Sequence, residues 1–466
     1  MPLFASKKES SVKSGKLSLV ATAVAAALAF AAFPVQSIGA PTAAYAAKSG
    51  ATKAAAAPPS VNFKTLYTFT GGADGAGPNG PLLRDTQGNL YGVTGAGGNA
   101  PGCTVNYGCG VVFMIDPSGS ENVLYAFRGG TDGWYPVGNL FMDAQGNLYG
   151  VTTYGGVTSC VPENGCGVIF KLSPPATKGM RWKETIIKRF TGGKDGALPY
   201  AGLIPDGKGN AYGTTSGGGL PARNRAGGII FKIDQFDNET VLYKFCSKYG
   251  AFGNCFDGES PFAAPTLGAD GNLYGTTFDG GFTQNDFGSG IIYKLTPSGG
   301  KYRLYNFCSV GNCSDGAHPE ASVLADAQGN VYGTTPVGGT GPGCCGIVFK
   351  VDSSGAETVL HSFAGGADGA YPSSGTLFRD AQGNLYGTTY GGGSGSCTTN
   401  GGPGCGTIFK VTANGEETVV YTFMGTTDGA FPAYGLITDG KGHAYGTTSG
   451  GEQFPYGYGT MFEISQ

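Results

Sequence analysis

Residues 375–389 read GTLFRDAQGNLYGTT, and GTIFKV follows at 406–411 and TVVYTF at 418–423. These runs alternate or are rich in β-branched and aromatic residues, and Gly, Asp, Asn or Pro bounds each of them, as expected of short strands between turns. They define four strands: a (375–379), b (384–389), c (406–411) and d (418–423). The a–b turn (DAQGN) and the c–d turn (TANG) have hairpin length, whereas the b–c and d–a connections are longer. Successive antiparallel strands send alternate turns to opposite ends. The a–b and c–d turns should therefore share one face, and the b–c and d–a loops the other.

The strand b phrase recurs seven times, with its tyrosine at Tyr91, Tyr149, Tyr212, Tyr274, Tyr332, Tyr386 and Tyr445. The mean spacing is about 59 residues, the range of long propeller blades. The expected fold is all-β, a seven-bladed β-propeller of four-stranded blades with a innermost and d outermost. The repeats are out of phase with the chain, because the first strand (64–69, KTLYTF) is a d and the last (459–465, GTMFEIS) is a c. An N-terminal outer strand pairing with the C-terminal blade would close the ring and remove an open sheet edge.

Composition agrees. Glycine accounts for 87 of 466 residues and charged residues for 13 %, so a helix-rich fold is excluded: each interior helical Gly costs about 1 kcal/mol relative to Ala. No three-residue glycine period marks a collagen, and 28 Phe with 25 Tyr are too many for a disordered chain.

Residues 1–46 read as a secretory signal: Lys7, Lys8, Lys13 and Lys16 precede an uncharged run at 17–33, and Ala44-Tyr45-Ala46 suits a signal peptidase. That run is short for a membrane span of about 20 residues. Residues 47–60, Ala-rich and ending in Pro58-Pro59, read as a flexible linker, and the propeller is expected over 61–466. Cleavage leaves 25 Lys+Arg (29 − 4) against 31 Asp+Glu (32 − 1), which disfavours nucleic acid and anionic membranes as partners. No second apolar segment follows, so no stable membrane span is expected after cleavage, and a monomer is expected.

The pattern GLIxDxxGNLYGTT, then GTIFKV, then TVLYxFxGGxDGAxP resembles the GloVer-type tandem-repeat family of secreted bacterial proteins over about residues 61–466. The resemblance implies a propeller-like secreted protein and brings no catalytic residues to transfer. Some members carry a C-terminal sorting segment that the end at Gln466 lacks, so release into the periplasm or medium is expected.

The 12 cysteines fall into local pairs, as expected in an oxidising compartment. Cys103/Cys109, Cys160/Cys166, Cys344/Cys345 and Cys397/Cys405 belong to b–c loops, and Cys246/Cys255 and Cys308/Cys313 to d–a loops. A Cys344–Cys345 bond would be a strained vicinal ring, more easily reduced than the others. Structural disulfides are preferred to a metal site, because no CxxC pair recurs and His318, His361 and His443 fall in different elements; no metal or cofactor is expected.

All the pairs staple one face, and a preformed surface binds with less entropy loss, which makes that face the candidate binding face. Its regular feature is Asp-Gly separated from Pro by two residues, at Asp74, Asp132, Asp195, Asp257, Asp315, Asp368 and Asp428. Turn capping explains these carboxylates better than calcium, which needs six to eight oxygens. The residue just before that proline varies: Gly77, Tyr135, Leu198, Ser260, His318, Tyr371, Phe431. With Trp134, Tyr200 and Tyr434 these aromatics could stack on a glycan or a protein ligand, or could pack between blades. No HExxH, GxSxG or GxxxxGKS/T occurs. Two function classes follow: a secreted non-catalytic binding or structural propeller, and a carbohydrate-active hydrolase or lyase with a carboxylate pair at the channel mouth.

Overall fold

The computed structural model describes residues 61–157, 164–177, 179–219, 227–248, 255–282, 288–340, 345–372, 375–399, 402–450 and 457–465. The chain forms seven antiparallel blades in the order a-b-c-d, a seven-bladed β-propeller. In the third blade these strands are Ile204–Pro205, Ala211–Thr215, Ile229–Ile233 and Glu239–Lys244. The seventh is composite: Ile437–Thr438, His443–Thr448 and Thr460–Ser465 are completed by Asn62–Thr68 from the other end of the chain. That closing strand runs antiparallel from Asn62 opposite Ser465 to Thr68 opposite Thr460.

Two apolar layers hold neighbouring blades together. The c-strand rings Phe113, Phe170, Phe231, Tyr293, Phe349, Phe409 and Phe462 are fully buried. Each meets the d-strand Phe of the preceding blade, as in Phe69–Phe113 and Phe363–Phe409, both at 5.1 Å between ring centroids. Such edge contacts are worth about 0.5–1.5 kcal/mol beyond their area. The c ring also explains the glycine after each b-strand tyrosine. A Cβ on Gly387 would lie 2.6 Å from Phe409 Cζ, and one on Gly150 2.5 Å from Phe170 Cζ. These glycines do not have positive φ; they are there for closeness, whereas the turn glycines supply the left-handed conformation.

Every c–d ladder contains a register shift at the same place, for example between Val112/Phe113 and between Ile408/Phe409. One apolar d residue, such as Leu124 or Val420, is thereby left without a partner opposite it. A bulge of this kind increases local twist, which suits an outermost strand.

Strand a differs from the sequence expectation. Only two of its lower residues pair with b, as Phe378–Arg379 do, but the Asp-Gly-x-x-Pro segment, expected in the loop, joins the same strand. Ala370 pairs with Gly391 and Pro372 with Thr389, and Trp134–Met142 is one continuous strand. In four other blades the same segment makes a single bridge to the end of b, as in Ala197 to Gly217. Strand a is thus longer than its alternating pattern and is interrupted where proline offers no N–H.

Candidate functional site

The residue before each of the seven prolines is left-handed: Gly77, Tyr135, Leu198, Ser260, His318, Tyr371 and Phe431 have φ between 55° and 62°. For a non-glycine residue this conformation costs about 1–2 kcal/mol, so the surroundings must impose it. They do so through a clamp between blades. The N–H of Tyr135 donates to the Cys109 carbonyl (3.1 Å), that of His318 to Ser289 (2.7 Å) and that of Phe431 to Cys405 (2.8 Å), each acceptor lying just before strand c of the preceding blade. The following proline rests on the next glycine of that blade, and a Cβ on Gly110 would lie 2.6 Å from Pro136 Cδ. All seven junctions repeat this arrangement.

The clamp aims the variable side chain at the end of the preceding blade's strand b. A Cβ on Gly95 would touch the Tyr135 ring at 3.0 Å, the His318 ring lies 4.7 Å from Phe278, and Phe431 stacks on Tyr390 at 5.0 Å. From these contacts an aromatic arc grows across blades two to five. Trp134 stacks on Tyr154 at 4.6 Å, and Tyr135 stands 5.9 Å from the same ring. The Tyr154 and Tyr200 hydroxyls are 3.5 Å apart. Tyr200 meets Phe262 at 5.2 Å, Phe262 meets Phe278 at 5.2 Å, and Phe278 meets His318. His318 Nδ1 lies 3.1 Å from the Phe278 carbonyl and 3.4 Å from Asp279 Oδ1.

Tyr434 has a different setting. Its hydroxyl donates to Asn79 Oδ1 (2.6 Å), and Asn79 Nδ2 donates to the Pro136 carbonyl (2.9 Å), which links blades seven, one and two. Burial pushes the Tyr434 phenol well above its usual range, helped by Tyr135, Tyr390 and Glu320. Groups from non-adjacent blades approach one another only near the axis, so Tyr434 marks the inner channel. Burial likewise raises Tyr200, and raises Tyr135 to about 12. At neutral pH all three phenols are hydrogen-bond donors and none serves as a base.

Of the residues singled out in the sequence, Trp134, Tyr135, Tyr200 and His318 are thus brought into one arc. Tyr371 and Phe431 belong to blades six and seven, and Phe431, 4 % exposed, is part of the apolar core. Tyr154, Phe262, Phe278, Tyr390 and Asn79 were missed. Tyr154, Phe278 and Tyr390 directly follow the last threonine of the b phrase, and that shared offset was the available signal.

The Asp-Gly carboxylates cap their turns. Asp74 accepts from the Thr70 N–H (2.7 Å), the Thr70 hydroxyl (2.6 Å) and the Tyr67 hydroxyl (3.1 Å), and Asp315 accepts from Ser309 and Tyr305 in the same way.

Four of the expected local cysteine pairs are bonded among the described residues. Cys103–Cys109, Cys246–Cys255, Cys308–Cys313 and Cys397–Cys405 are disulfide-bonded, and Cys166 is bonded too. The partners in the four pairs are five to nine residues apart in sequence. Cys345 is buried, and its expected partner Cys344 lies outside the described residues. The Cys345 side chain goes into the core with Val348 and Phe363, and a Cβ on Gly365 would lie 3.1 Å from its Sγ. Cys109 has the same place beneath Gly129 in blade one. Cys160 and Cys344 lie outside the described residues, as do residues 1–60.

No curated protein matches the chain. Among solved structures it is similar to a protein described as a gluconolactonase, with 10 % identity, TM-score 0.38, and 88 % of this chain and 93 % of that one covered. It is also similar to the extracellular domain of a one-component system from B. thetaiotaomicron, with 12 % identity, TM-score 0.48, and 87 % of this chain and 40 % of that one covered. The model of the Gloeobacter/Verrucomicrobia repeat matches residues 42–222 and 223–462, nearly the whole propeller and its approach. With seven copies of one blade phrase closed into a ring, the chain belongs to the Gloeobacter/Verrucomicrobia repeat family.

Proposed function

We propose that this chain is a secreted, non-catalytic propeller that binds a glycan along the aromatic arc from Trp134 to His318. The observation that carries the reading is the run of partly exposed rings, Trp134, Tyr154, Tyr200, Phe262 and Phe278, on the face bearing the disulfide-bonded loops. Rings offer large contact at little entropy cost, and the Tyr154 and Tyr200 hydroxyls add donors for sugar oxygens. Secretion is supported by the local disulfides, which persist in oxidising compartments, together with the signal-like residues 1–46. The mature N-terminus is then Ala47, readable by N-terminal sequencing of exported protein.

The test is a glycan array run beside a turnover assay on the same polysaccharides. Trp134→Ala and Tyr200→Ala should each weaken binding about fivefold, for roughly 1 kcal/mol per ring. An unchanged affinity with a lowered melting temperature would assign the rings to packing alone, and measurable turnover would favour the hydrolase or lyase reading.

A further inference from the structure

The outer strands meet the Asp-Gly turns in a constellation repeated at every junction between blades. One d-strand residue faces the turn carboxylate and the start of the next blade's d strand. Five junctions place tyrosine there, and Tyr67, Tyr125 and Tyr305 donate to Asp74, Asp132 and Asp315. The second to third blade junction places Lys188, whose Nζ lies 3.0 Å from Asp195 Oδ2 and 2.6 Å from Glu239 Oε2. There a tethered ammonium fills the space between the two carboxylates, so the repeat geometry can seat a cation at this point.

The fifth to sixth blade junction differs again, because the residue is His361. Its Nε2 lies 3.2 Å from Asp368 Oδ1, and one donor atom from each of His361, Asp368 and Glu417 falls within 4.8 Å of the others. Glu417 Oε1 is enclosed and accepts no hydrogen bond. Asp368 Oδ2 is held by the Ala364 N–H at 2.6 Å, and the His361 ring stands edge-on to Phe363 at 4.8 Å, which fixes both donors in place. The His361 and Asp368 side chains keep 18 % and 23 % exposure, enough for an ion to enter and retain water.

We infer that His361, Asp368 and Glu417 form a binding site for one divalent transition-metal ion, with one imidazole nitrogen and two carboxylates as ligands and solvent completing the shell. Two carboxylates and a neutral imidazole carry a charge of −2, which one M²⁺ balances. One nitrogen and two oxygens at about 2.0–2.2 Å suit zinc and its neighbours better than calcium, which prefers six to eight oxygens. His443 provides a contrast: its two ring nitrogens face separate carboxylates, Asp439 at 2.8 Å and Glu463 at 3.8 Å, and do not converge on one point. Sequence motifs could not reveal the site, since its ligands come from two blades.

The test is calorimetric titration of the full chain, stripped with chelator, using Zn²⁺ and Co²⁺ as probes. One equivalent of metal should bind and raise the melting temperature. Affinity should fall at least tenfold in His361→Tyr, which installs the residue that five other junctions carry and so should fold normally. Glu417→Gln should give the same loss and checks the result if the first variant folds poorly. Glu357→Gln, at the neighbouring tyrosine junction, should leave binding unchanged. Absence of saturable binding in the native chain, or equal binding by His361→Tyr, overturns the site and shows His361 to be only an ion-pair partner of Asp368.

Discussion

At the residue scale, glycine acts in two physically distinct ways. The b-strand glycines have ordinary extended backbones, so alanine there introduces no conformational conflict, only volume. A Cβ on Gly387 would meet Phe409 Cζ at 2.6 Å and Leu377 Cδ2 at 2.8 Å, both in a closed layer. Gly387→Ala should therefore lose about 1–3 kcal/mol by overpacking. In a double-mutant cycle with Phe409→Leu the two losses should be strongly non-additive, because the smaller side chain makes room for the methyl group. Additive losses in urea denaturation would show that the ring is not what excludes the Cβ.

At the element scale, the junctions between outer strands make stability depend on pH. Glu121 and Glu357 begin the d strands of blades one and five and Glu184 is second in that of blade two, and their carboxyls are raised to about 7, by burial first and then by Asp74, Asp315 and Asp132 respectively. A carboxyl raised in the folded state holds its proton after the unfolded chain has released it. Between about pH 4.5 and 7 the native state therefore binds more protons, and its stability falls as pH rises through that window before levelling off. The a–b turn aspartates are shifted the other way by their hydrogen bonds, as Asp85 is by Asn89, Tyr91 and Gln87, so their effect lies at lower pH. Melting temperature followed from pH 4.5 to 8 should fall, and Glu121→Gln, Glu184→Gln and Glu357→Gln combined should flatten the slope. A slope unchanged in the triple variant would place the titration elsewhere.

The same scale shows what the sequence could reveal. Strands b, c and d were legible because alternation and β-branching are local, and the tyrosine phrase fixed their phase. Strand a was legible only in its lower half, because the left-handed residue before proline breaks the alternation that identifies a strand. The d-strand bulge was hidden for a related reason: Leu124 reads as one more member of a β-rich run, and only pairing with strand c shows that nothing stands opposite it. Cysteine spacing revealed the bridges that close a loop, because partners five to nine residues apart are local in sequence. Of the arc, Tyr135 and His318 stood out by variation at a repeated position, and Trp134 and Tyr200 as aromatics close to that position in sequence. Tyr154 and Phe278 did not, since their partners Tyr200 and His318 lie 46 and 40 residues further on, in the next blade.

At the scale of the whole molecule, stability depends on closing the ring. Residues 62–68 supply the outer strand of the seventh blade, and two rings make that strand more than a hydrogen-bonded edge. Phe63 stacks on Tyr421 at 4.3 Å and on Phe462 at 5.4 Å, joining blade six to blade seven, while Phe69 meets Phe113 of blade one at 5.1 Å. Removing residues 61–70 would uncover both layers and leave Thr460–Ser465 as an unpaired edge, which invites association with other chains. Loss of a buried Phe alone costs about 3–5 kcal/mol, comparable with a large part of the 5–15 kcal/mol that ordinarily stabilises a domain. A chain beginning at residue 71 should thus melt far below the chain that begins at 61, or aggregate. A synthetic peptide of residues 61–70 added in excess should restore part of the loss by refilling the vacant edge. If the shortened chain melts with the intact one, the ring is held by contacts between blades alone and the terminal strand is only an appendage.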